Sequence, residues 1–101
     1  WNGGLETIGD IRRSLSALDA ACLAIGRDPK AIGRSAEILV RALPRPAGES
    51  AEPMELAGTP AAIGAAIAAY AELGIDELQV QLRPNTRAAV DAFAKVIATL
   101  S

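Results

Sequence analysis

Apolar residues recur at steps of three and four through the first quarter of the chain: Leu5, Ile8, Ile11, Leu15, Leu18, Cys22 and Ile25. That spacing predicts an amphipathic helix. Thr7 and Asp10 have the spacing of a capping box at its start. Gly26 suits the left-handed position after the last turn, and Asp28-Pro29 forbids continuation. The period then changes. Residues 35–43 (SAEILVRAL) are a short run of branched side chains ending at Pro44, which predicts a strand. Pro44 to Ala57 is expected to be a long polar loop carrying Glu49, Glu52 and Glu55, and loops of that length tend to be functional or mobile. Thr59-Pro60 opens a second helix, with Thr59 as N-cap and Pro60 in the first turn. Ile63, Ile67, Tyr70 and Leu73 form its buried side, and Gly74 stops it. ELQVQL, residues 77–82, alternates as a strand should. After Pro84, Asn85 or Thr86 caps a third helix, whose expected inner face is Val90, Phe93, Ile97 and Leu100.

The predicted order is αβαβα. A strand, a crossover helix and a second strand make a parallel, right-handed unit. The loop after the first strand is long and the helix-to-strand link at Gly74-Ile75-Asp76 is tight, an asymmetry shown by (β/α) barrels. Two parallel strands are too few for a self-sufficient sheet, because such strands usually have both faces covered. The pattern is that of one partial domain, residues 1–101, cut from a larger sheet. An opening Trp1, with no initiator Met, points the same way.

Composition narrows the chemistry. The chain has 101 residues, of which 50% are apolar and 22% charged, with ten Lys plus Arg against twelve Asp plus Glu. That is enough apolar content for a core. A net charge of −2 gives no electrostatic footprint for nucleic acid or an anionic membrane. With no His and one Cys, a His/Cys zinc site, a disulfide framework and a His-based triad are excluded within the chain. Cys22 sits on the apolar stripe of the first helix and is expected to be buried and inert. No 18-residue apolar span is present, and no leader segment and a cytoplasmic location are expected.

Four stretches, Trp1-Asn2, CLAIGRDP (22–29), LAGTPAAIGAAIAAYAELGIDELQVQL (56–82) and AVDAFAKVIATL (89–100), carry a resemblance. In this order they resemble the C-terminal part of the bacterial-luciferase-like monooxygenases, flavin- or deazaflavin-dependent oxidoreductases on a (β/α)8 TIM barrel. The resemblance implies that the two strands are the last two of eight and that the chain is the last quarter to third of the barrel. It also implies that Trp1-Asn2 follows the sixth strand, and that the parent uses FMN or coenzyme F420 on a small-molecule substrate. A full barrel takes roughly 250 residues, so most of the cofactor pocket would lie upstream of Trp1.

Strand alternation supplies the candidate site. Leu78, Val80 and Leu82 share a face with Ala36, Ile38, Val40 and Ala42 in receiving helices; Glu37, Leu39, Arg41, Gln79 and Gln81 take the other. In a barrel that second face is the lumen. Arg41 and Gln81, with Arg83 just beyond, approach the mouth, while Glu37 lies deeper in a structural role. Trp1 is expected near the cofactor pocket. These four, Trp1, Arg41, Gln81 and Arg83, are the candidate cofactor-binding or substrate-lining residues; no catalytic acid, base or metal ligand is assigned. Interior polar residues also serve by hydrogen-bonding one another. Gly58-Thr59-Pro60 is read as ordinary capping, with a phosphate at the helix start as the alternative.

The expected function is that of a C-terminal, barrel-closing piece of a luciferase-like oxidoreductase, inactive alone and binding no cofactor tightly by itself. The alternative is a freestanding α/β interaction module. Open strand edges lead to the expectation of a homo-oligomer rather than a monomer.

Overall fold

A computed structural model describes residues 1–45 and 47–100; Pro46, within the expected loop, lies outside it, as does Ser101. Among the described residues the chain is α/β, with four parallel strands and three α-helices. In chain order these are β1 (Asn2–Gly3), α1 (Ile8–Ala24), β2 (Ser35–Arg41), β3 (Glu55–Ala57), α2 (Pro60–Glu72), β4 (Glu77–Leu82) and α3 (Arg87–Ala98). A single 3₁₀ turn, Pro29–Ala31, follows α1.

The helix boundaries follow local chemistry. Thr7, Thr59 and Thr86 are the three N-caps, each hydroxyl accepting the amide three residues on. Thr86, rather than Asn85, starts α3. Gly26 and Gly74 adopt φ of 75° and 84° after α1 and α2, a left-handed conformation that other residues enter at a cost.

The sheet is larger than the αβαβα expectation. β2 is its centre: β4 pairs along one edge from Ser35↔Glu77 to Val40↔Leu82. On the other edge β1 takes Ser35 and Ala36, and β3 takes Leu39 to Arg41. β1 and β3 were not expected, and the end of the predicted loop is therefore strand. Two- and three-residue strands carry no legible period; only pairing with β2 defines them.

All three helices cover one face of this sheet. Ile11 and Leu15 of α1, Ile63 and Tyr70 of α2 and Val96 of α3 pack with Ala36, Ile38 and Val40 in one cluster, joined by Leu56, Leu78 and Leu82. Two apolar expectations change. Ile25 is 77% exposed, because α1 has ended at Ala24. On α3 the inner face is Ala89, Phe93 and Val96, whereas Val90, Ile97 and Leu100 face outward. Phe93 belongs to both faces, so the buried stripe is displaced towards Ala89 and Val96 by less than one residue step of the helix. Val96→Ala should therefore cost about 2 kcal/mol and Ile97→Ala well under half of that, as urea midpoints of the two variants will show. The reverse ranking would restore the outward face to the core.

The result is a slab. It measures 50 × 31 × 19 Å with a radius of gyration of 15.2 Å, against about 13 Å for a compact chain of this length. Its exposed surface, 6063 Å², likewise exceeds the roughly 5,400 Å² of a compact monomer of this mass. No described helix is long and apolar enough to cross a membrane.

Candidate functional site

The sheet face away from the helices carries the charge. Alternation along β2 places Glu37, Leu39 and Arg41 there, and the registers Leu39↔Glu55 and Leu39↔Gln81 add Glu55 from β3 and Gln81 from β4. Leu39 was expected on this face. It is 1% exposed, being flanked on both sides because β2 is central.

Arg41 closes this row at the C-terminal end of β2, and its side chain is 3% exposed. Burying a guanidinium requires partners, and two carboxylates provide them. Arg41 Nε donates to Glu55 Oε1 at 2.5 Å, and another guanidinium nitrogen pairs with Glu49. Arg45 donates to the same Glu55 oxygen at 2.8 Å. Glu55 is itself 1% exposed. Burial pushes its carboxyl pKa up, but hydrogen bonds from Arg45, Arg41 and the Glu52 amide, with the charge of Arg41, hold it below the ordinary value. Beside them Arg83 pairs with Glu52 at 2.6 Å. That carboxylate raises the Arg83 pKa further.

Three arginines and three glutamates thus converge where β2 and β4 end and β3 begins. The glutamates come from the segment expected to be a polar loop. Their i, i+3, i+6 spacing was visible in the sequence, but nothing local tied them to Arg41.

Of the four candidate residues the structure brings Arg41, Gln81 and Arg83 to one end of the sheet. Arg83 N donates to Val40 O at 3.0 Å, and Gln81 Nε2 reaches Glu37 Oε2 at 3.4 Å on the polar face. Trp1 is placed elsewhere. Its carbonyl accepts from Ser35 N at the opposite end of β2, six residues and about 20 Å from Arg41. Its ring stands 2.8 Å from where a Cβ on Gly3 would sit, beside Ile11 of α1. Trp1 therefore lies on the helix side of the sheet.

Thr59 acts as the expected cap, accepting from Ala62 N at 3.1 Å. Cys22 is buried. Among the described residues, no group of three or more His, Cys, Asp or Glu side chains is placed to hold a metal ion. What the cluster can do is electrostatic: bind and orient an anionic group through guanidinium donors whose positions are held by buried carboxylates.

Set against known proteins, the chain matches no family model, no curated protein and no solved structure.

Proposed function

We propose that this chain is the C-terminal, barrel-closing part of a (β/α)8 oxidoreductase of the luciferase-like kind, acting in the cytoplasm on a small-molecule substrate. One observation carries the reading. A parallel sheet has all three described helices on one face, and a polar face holding Glu37, Arg41, Glu55 and Gln81 on the other. Parallel sheets with helices on a single side are the construction of barrels, whose inner face is closed by further strands. The outward row Val90, Ile97 and Leu100 on α3, together with the half-open Val80 of β4, supports it.

FMN and coenzyme F420 both carry phosphate and a broad planar ring. The arginine cluster suits the anionic part. The ring is another matter: Tyr70 and Phe93 belong to the helix-side core and Trp1 packs over Gly3, so no aromatic slot is built on the polar face by the described residues. The redox chemistry belongs to the cofactor when bound. The contribution of this chain is closure of the lumen, exclusion of water and a charged mouth, with the ring pocket supplied by other strands.

The test compares the 101-residue chain with the product of the whole reading frame that encodes it, each titrated with FMN and with coenzyme F420 by fluorescence. The longer product should bind one cofactor at micromolar concentration, and the 101-residue chain neither. The 101-residue chain should also associate in light scattering, because β4 and the β1/β3 side present strand edges. A cooperative, monomeric 10.4 kDa species, and a reading frame with no further βα units, would overturn the proposal in favour of a freestanding interaction module.

A further inference from the structure

A cleft of about 230 Å³ lies on the helix side of the sheet, between the start of α1, the approach to β3 and the second half of α2. Its lining is apolar, with Ile8, Met54, Leu56, Ala66 and Ala69 supplying most of it. Residues 66, 69 and 70 share one face of α2, being three and four positions apart. Alanine at the first two leaves open the space that longer side chains there would fill. The volume suits one substituted ring, since an apolar cavity of about 150 Å³ already takes benzene.

Two hydroxyls belong to the wall, and they differ in what they have left to donate. Thr7 Oγ1 is used: it accepts from Asp10 N and donates to the Asp10 carboxylate. Tyr70 Oη makes no hydrogen bond to any described residue, and burial pushes its pKa up with no bond to offset it. The phenol therefore keeps its proton at neutral pH and stands as a donor. Among the described residues Arg45 Nε is the side-chain atom both sealed from water and without a partner. Tyr70 Oη, also without one, is thus not sealed. Tyr70 as a whole is 1% exposed, and the trace of surface it keeps belongs to the cleft it lines. A buried donor without a partner is costly, and most such groups in folded proteins have one.

We propose that this cleft binds a single-ring aromatic carbonyl compound, its ring against Met54, Leu56 and the two alanines and its carbonyl oxygen accepting from Tyr70 Oη. The thioether of Met54 adapts readily to a ring edge. The site lies across the sheet from Arg41 and its glutamates, so the inference goes beyond the barrel reading without resting on it.

The experiment is an NMR titration of the 15N-labelled protein with acetophenone and with ethylbenzene, which has nearly the same shape and no oxygen. The amides of Ala66, Ala69 and Tyr70 should shift saturably with acetophenone, with a dissociation constant on the order of 1 mM. Tyr70→Phe keeps the ring and removes the hydroxyl. It should weaken acetophenone about three- to tenfold, the worth of one hydrogen bond, and leave ethylbenzene within about twofold. The same variant should unfold at no lower urea concentration than the native protein, because the hydroxyl gives up no bond inside the protein. Ala66→Leu fills the cleft and should abolish the saturable shifts with both compounds. Shifts that fail to saturate, equal losses for the two compounds in Tyr70→Phe, a lower urea midpoint for that variant, or unchanged binding in Ala66→Leu would overturn the proposal.

Discussion

Replacing Glu55 by alanine is expected to destabilise the protein by about 3–5 kcal/mol, the range for removing one partner of a buried ion pair. The physical reason is what remains. Arg41, 3% exposed, would keep its charge away from water with only Glu49 beside it, and Arg45 would lose its partner outright. Glu55→Gln keeps the shape and one acceptor, and should cost less. The loss has a pH signature. The Glu55 carboxyl has a pKa below its ordinary value of 4.5 in the folded chain. Its stabilisation is therefore complete above that value and disappears as pH falls through the folded one. The stability gap between the native protein and Glu55→Ala should be flat near neutrality and narrow on acidification below about pH 4.5. Urea unfolding at several pH values measures both. A loss of less than about 1 kcal/mol at neutral pH would show that the arginines are solvated well enough without Glu55.

Tyr70→Ala should be comparably severe, costing about 3–5 kcal/mol. Tyr70 is 1% exposed and heads the largest fully buried side chains. It belongs to the one buried cluster that also contains Ile11 and Leu15 of α1 and Ile38 of β2. It also walls the apolar cleft of about 230 Å³ beside Ile8, Met54 and Leu56, so truncation enlarges a space that is already unfilled. Domains of this length have roughly 5–15 kcal/mol in total. A slab with much of its surface exposed belongs at the low end of that range, and the variant should be largely unfolded at room temperature by circular dichroism. A cooperative melt within a few degrees of the native protein would mean that α1 and α2 close over the gap.

The two variants divide along what was legible. Tyr70 could be read as core from its place three residues from both Ile67 and Leu73 and seven from Ile63. The polar face of β2 and β4 was equally readable, and Arg41 with it. Glu55 was not. It was counted in a polar loop because three residues of strand show no alternation, and its importance arises only when β3 falls into register with Leu39. The three N-caps, the stops at Gly26 and Gly74, the strand at 77–82 and the strand expected at 35–43, which ends two residues earlier at Arg41, were all set by residues a few positions apart, since caps, positive-φ turns and alternation are short-range effects. The outward turn of α3, the burial of Leu39, the placing of Trp1 far from Arg41 and the gathering of Glu49, Glu52 and Glu55 around three arginines were decided by tertiary structure. Each depends on which strand lies beside β2 and at what register, and that choice is made by burial across the whole sheet, not by any neighbour in the chain.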